Sequence, residues 1–150
     1  HGRTRRPSDS NLRCTGSSEV HYISNYLAQS PCWVLVPRDG EATCFIHFFN
    51  HQPCAKAQSI ISDVRWYGPS PIPTLVEEIR RKSLDKCRIR LVTLRGIPYG
   101  HVTDLKRLLP EADLAEFGPS FNRIRRVRQR GGINLPQTQR ILDRSRLHCA

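Results

Sequence analysis

"DGEATCFIHFFNHQPCAKAQSII", residues 39–61, decides how the rest of the chain is read. Its centre, "CFIHFF" (44–49), admits three readings: a sheet strand, half of a metal site, or a platform of exposed rings. The alternation favours a strand. Ala42, Cys44, Ile46 and Phe48 share one face, and Glu41, Thr43, Phe45 and His47 share the other. Upstream, "CWVLV" (32–36) is a second apolar run, and "PRDGEA" (37–42) lies between the two. Asp-Gly is a strong turn dipeptide, so the pair is expected to form a β-hairpin. Downstream, "QPCAKAQSIISDVRW" (52–66) reads as a helix, with Ala57, Ile60, Ile61 and Val64 in one stripe and Pro53 near the start.

Outward from the hairpin, helices and strands alternate. "SSEVHYISNYLAQSP" (17–31) carries Val20, Ile23 and Leu27 on one helical face, a serine to cap its start, and Pro31 to end it. Residues 1–16 are polar and basic and are expected to form a flexible arm. "YGPSPIP" (67–73) is a linker of turn residues. "TLVEEIRRKSLD" (74–85) is a short helix with Leu75, Val76 and Ile79 inward. A second unit starts at "KCRIRLVTLRGIPYG" (86–100), where "RIRLVTL" predicts a strand. "HVTDLKRLLPEADLAEF" (101–117) reads as a helix interrupted at Pro110, "FNRIRRVRQRGG" (121–132) as a basic strand or loop, and "LPQTQRILDRSRLHCA" (135–150) as a terminal helix. The predicted class is α/β (α+β), a small sheet with helices on one face and basic tails. Its parts are an arm (1–16), a first half (17–68), a linker with a short helix (69–86) and a second α/β unit (87–150).

Charge is the strongest signal in the composition. Lys and Arg number 24 against 13 Asp and Glu, a formal net charge of +11. Only Lys56, Lys82, Lys86 and Lys106 are lysines. Arginine's planar fork suits phosphate, and a chain this basic attracts polyanions. From residue 121 onward eight arginines stand against Asp143 alone. Solvated faces usually mix signs, so this cluster is expected to hold a nucleic-acid backbone. There is no run of 18 apolar residues, and no membrane partner is expected. The six cysteines contain no CxxC pair and are expected to be reduced, mostly buried thiols in an intracellular, reducing compartment. The arginine-rich, serine-containing start favours the mitochondrial matrix over nucleus or cytoplasm.

The hairpin and the helix after it resemble part of an RNA recognition motif. That family's third strand carries a basic-Gly-aromatic-Gly-aromatic-aliphatic-any-aromatic signature. The matching residues are Glu41, Ala42, Thr43, Cys44, Phe45, Ile46, His47 and Phe48. Thr43 stands where an aromatic is usual and Glu41 where a basic residue is, which leaves Phe45, alone or with His47, as the stacking platform. "LVTLRGIPYGHVTDLKRLL" (91–109) resembles the first strand and helix of the same family, in its quasi-RRM branch, with Val92, Leu94 and Ile97 at the aliphatic positions and Thr93 at an aromatic one. The resemblance covers about 18–67 and 88–130. It implies an RRM-like or ferredoxin-like fold with one open, RNA-binding sheet face.

The chemistry of the remaining candidates is thinner. Cys44, His47, His51 and Cys54 are of metal-ligating types, but on a strand Cys44 and His47 point to opposite faces. No base or oxyanion donor is placed beside any cysteine, and no cofactor is expected. The function expected is non-catalytic RNA binding, as a structural or assembly subunit of a ribonucleoprotein such as an organellar ribosome. Its partners would be rRNA or another structured RNA and the protein subunits of the same complex. Arg123, Arg125, Arg126, Arg128 and Arg130 would hold phosphate, with Arg88, Arg90, Arg95 and Phe45 in support. Two alternatives stand beside this one: an RRM-like protein–protein module, and a small zinc- or cysteine-dependent factor such as a viral one.

Overall fold

The computed structural model describes residues 9–14, 17–92 and 94–126, with side chains for 18–92 and 94–123. The elements in order are β1 (Asp9–Cys14), α1 (Ser17–Ser24), β2 (Cys32–Val36), β3 (Thr43–Ile46), α2 (Gln52–Gln58), β4 (Asp63–Trp66), α3 (Pro71–Arg81), β5 (Arg88–Val92), α4 (Tyr99–Leu108), β6 (Asp113–Glu116) and α5 (Gly118–Arg126). Short 3₁₀ turns cover Phe49–His51 and Leu94–Gly96.

The strands form one six-stranded sheet in the order β4-β3-β2-β1-β5-β6. β2 pairs antiparallel with β1 and β3, while β1–β5, β3–β4 and β5–β6 are parallel. The chain therefore steps outward from β1 to β4, crosses back through α3, and adds β5 and β6 on the other side of β1. The expected division at residues 69–86 does not separate two units, because β5 pairs directly with β1.

Both faces of the sheet are buried. Trp33, Leu35, Phe45, Ile89 and Leu91 pack against Leu75, Val76 and Ile79 of α3 and Leu105 of α4. On the opposite face Cys32, Val34, Val36, Cys44, Ile46 and Val92 pack against Val20 and Ile23 of α1, Ala55 of α2 and Phe121 of α5. This differs from the expectation of helices on one face only. The sign against that expectation is "CWVLV", in which every residue is buried. An unbroken apolar run is the pattern of a strand covered on both sides.

The hairpin, α1, α3 and β5 form as predicted in kind. Four segments differ. Residues 9–14, expected within the flexible arm, form the central strand β1, although "DSNLRC" has only Leu12 and Cys14 as apolar residues. The helix predicted over 52–66 stops at Gln58, where Ser59 turns extended (ψ 139°), and 63–66 become edge strand β4. Ile61 and Val64 still bury, which is why they mimic a helical stripe. Residues 113–116 form β6 rather than continuing a helix past Pro110. "NRIRRVR", expected as a basic strand or loop, starts within α5, a helix led by Gly118 and Pro119. The predicted terminal helix over 135–150 lies outside the described residues.

Candidate functional site

The richest polar chemistry lies where β4, the edge strand, meets α3. α3 begins at Pro71 after an extended Ser70 and buries Ile72, Leu75, Val76 and Ile79 at helical spacing. That stripe carries Glu78 inward on its flank, where the residue keeps only 3% of its exposure. Arg81, one turn on, donates from Nε and Nη2 to the two carboxylate oxygens at 2.7 and 2.6 Å. Arg65 of β4 donates from Nη1 to Glu78 at 3.1 Å. It also donates from Nε and Nη2 to Asp63 at 2.7 and 2.6 Å. Lys82 lies 3.4 Å from Glu78, and its ammonium donates to the Glu41 carbonyl at 2.9 Å. The buried Thr43 hydroxyl donates to Asp63 at 3.0 Å.

Burial alone pushes the Glu78 carboxyl up. The Arg81 hydrogen bonds and the charges of Arg65, Arg81 and Lys82 outweigh it and hold the group at about 2. Paired this way the carboxylate is a clamp that ties β4 to α3, and it offers no free proton for acid–base chemistry at neutral pH. Glu78 is a residue that the sequence reading missed. Its signal is the pair of cations three and four residues on, at the spacing that brings helix side chains together.

Beside the clamp, at the C-terminal ends of β3 and β4, lies a rim of rings. His47 Nδ1 and the Tyr67 hydroxyl are hydrogen-bonded. Trp66 Nε1 donates to the His47 carbonyl at 2.9 Å, which fixes the indole. Phe48 contacts His47 and His51 edge-on at 4.2 and 5.3 Å between centroids, and Phe49 contacts Trp66 at 5.7 Å. Phe48, Phe49 and Trp66 remain 46%, 66% and 44% exposed.

The residues predicted to bind RNA are spread over β3, β5, the Leu94–Gly96 turn and α5, or lie outside the described residues. Phe45, the expected stacking platform, is fully buried against α3 and α4, so no base reaches it. Arg88 is bonded to Asp113 at 2.8 Å on β6. Arg90 is half-buried on β5, and Arg95 is exposed in the Leu94–Gly96 turn. Arg123 is exposed on α5, which also carries Arg125 and Arg126 in its backbone. Arg128 and Arg130 lie outside the described residues. The four metal-type residues are also scattered. Cys44 is in the core facing α1 and α2, His47 bonds Tyr67, His51 packs on Phe48, and exposed Cys54 accepts from Gln58. Among the described residues, no helix is long and apolar enough to cross a membrane.

The comparison with known proteins accounts for this architecture. The family model of the Creatinase/Prolidase N-terminal domain matches residues 11–127. Among solved structures, an Xaa-Pro dipeptidase from Bacillus anthracis has a TM-score of 0.66 at 15% identity, over 82% of this chain and 32% of its own. An X-Pro aminopeptidase from Thermotoga maritima has a TM-score of 0.69 at 13% identity, over 81% of this chain and 34% of its own. A proline dipeptidase structure from Streptococcus pneumoniae has a TM-score of 0.65 at 14% identity, with 81% of this chain and 89% of that one covered. The chain thus spans about a third of the first two proteins. No curated protein matches.

These findings correct the expectation from sequence. The RNA recognition motif, the ribonucleoprotein subunit with its RNA partner, and the absence of an enzymatic role all give way to a match that runs through β1, the strand the RRM reading left out. Short alternating strands followed by helices are shared by many α/β folds, and the buried second face removes the surface an RRM needs. This chain belongs to the Creatinase/Prolidase N-terminal domain family.

Proposed function

We propose that this chain serves as the N-terminal domain of an Xaa-Pro peptidase, an enzyme acting on peptides in which proline follows the residue to be released. The observation that carries the reading is the family match over residues 11–127, which runs from within β1 to past β6. The solved neighbours named as Xaa-Pro dipeptidase and X-Pro aminopeptidase support it. About two-thirds of each lies beyond the likeness, so peptide hydrolysis is assigned to the enzyme as a whole. The described residues contribute a sheet covered on both faces, with its β4 edge held by the Glu78 clamp. A rigid surface of this kind contacts a partner or peptide with little ordering cost.

The test is an assay of the native protein, purified as it occurs, on Ala-Pro and Ala-Ala dipeptides. Release of proline from Ala-Pro with Ala-Ala left intact is the expected result. Equal cleavage of both, or of neither, would overturn the reading.

A further inference from the structure

We propose that Ser83, at the end of α3, is a phosphorylation site for a protein kinase that selects basic substrates, and that its phosphate releases the Glu78 clamp between α3 and β4. The assignment does not rest on the peptidase reading.

Sequence, exposure and backbone conformation meet at this serine. "RRKSL" (80–84) places Arg80 and Arg81 three and two residues before the hydroxyl and Leu84 directly after it. Kinases whose substrate groove is lined with carboxylates select this order of charges, with an apolar residue following the serine. Ser83 is exposed, and so are Arg80 and Arg81. A kinase takes its substrate extended, so the last turn of α3 has to open. Ser83 holds φ +56° just past the Lys82 cap, a left-handed conformation that costs an L-residue backbone energy. The turn that must open is therefore the strained one, and helix ends open locally at low cost. Opening detaches Arg80 from the Leu108 carbonyl and Arg81 from Glu78, which presents both guanidinium groups to the kinase.

In the transfer, Ser83 Oγ attacks the γ-phosphorus of a magnesium-bound nucleoside triphosphate. The Oγ–P bond forms as the bond to the β-phosphate oxygen breaks. The hydroxyl proton passes to a carboxylate of the kinase, and nucleoside diphosphate leaves. The new group carries about −1.5 to −2 charges at neutral pH. It adjoins Lys82 and lies two residues from Arg81, the cations that hold Glu78 from within α3. The phosphate competes for both with more charge than the carboxylate has. The carbonyl end of α3 repels it, as do Glu78 and Asp85, so it favours the opened turn over the closed one. Glu78 is then left with Arg65 as its cation among the described residues.

The test incubates the full chain with magnesium ATP and the catalytic subunit of a cyclic-nucleotide-dependent kinase, and maps phosphate by tandem mass spectrometry. The expected result is phosphate at Ser83. Its rate of formation is about tenfold lower in Arg80→Ala, which loses a recognised charge and spares the bonds to Glu78. The thermal midpoint of the phosphorylated chain falls by about 2–4 °C. Ser83→Gly, treated in the same way, keeps its midpoint. In Glu78→Gln the phosphate lowers the midpoint less than about half as far, because no charged clamp is left to release. Phosphate only on other serines overturns the proposal. So does a peptide of residues 77–87 that accepts phosphate while Ser83 in the folded chain does not, since the turn is then closed to kinases. Equal shifts in wild type and Glu78→Gln, or no shift in either, overturn the release of the clamp.

Discussion

Arg81 grips both carboxylate oxygens of Glu78 from one turn along the same helix, and Arg65 reaches the same carboxylate from the edge strand. The pair thus joins a helix-internal contact to a link between α3 and β4. Glu78→Gln keeps the size and removes the charge, so the hydrogen bonds lose their charge assistance. Arg65 and Arg81 are exposed enough to regain water, which limits the loss. The expected destabilisation is about 2 kcal/mol, read as a lower urea midpoint with an unchanged slope.

The same carboxylate makes stability depend on pH in the acid range. Its folded value is about 2, below the roughly 4.3 of an unfolded glutamate. A depressed carboxylate contributes stability that is fully present above the unfolded value and is lost as pH falls toward the folded one. Urea midpoints of the wild type should therefore fall more steeply between about pH 5 and pH 2 than those of Glu78→Gln. The two curves converge near pH 2. Parallel curves across that window would show that Glu78 is not the group responsible.

Phe45 sits opposite Trp33 in the β2–β3 register and is fully buried against the helices. Phe45→Ala should cost about 3–5 kcal/mol, as removing a buried ring in a close-packed core does. Chemical denaturation measures it. Phe49→Ala at the exposed rim should stay within about 0.5 kcal/mol, as surface substitutions usually do. A small effect at Phe45 would contradict its place in the core.

How much of the fold is legible in the sequence depends on local pattern. The hairpin is readable because Asp-Gly sits between two apolar runs, and α3 because Leu75, Val76 and Ile79 keep helical spacing. β1 is not, because a central strand that reads "DSNLRC" has almost no apolar alternation, and its place depends on pairing with β2 and β5. β4 and β6 are only four residues each, too short to show a period. The arginines of "NRIRRVR" look like a binding strand because Ile and Val alternate with Arg, yet the backbone is helical through Arg126. At the rim, Phe48 and Phe49 are in view from the start. Their neighbour Trp66 comes from a different strand, so the site exists only once β4 lies beside β3.

The end of α3 offers a stabilising substitution. The Ser83 N–H donates to the Arg80 carbonyl at 2.8 Å and the Leu84 N–H to the Ile79 carbonyl at 2.9 Å. These two bonds, just past the Lys82 cap, form the Schellman closure of a helix. Ser83 takes the left-handed position of that closure, at φ +56°, where a Cβ is unfavourable and glycine is the usual occupant. Glycine also loosens the unfolded chain, which opposes the gain. The relief of the left-handed strain is the larger effect, so Ser83→Gly should stabilise the fold by about 0.5–1 kcal/mol. A rise in thermal midpoint of a few degrees is the expected reading for a domain of this size. Gly40 provides the opposite control. It holds φ +96° in the β2–β3 turn, and a Cβ added there would meet nothing within 4 Å. Gly40→Ala therefore brings no clash and should destabilise by about 1 kcal/mol through backbone strain alone. If both substitutions shift the midpoint in the same direction, backbone conformation is not what governs either turn.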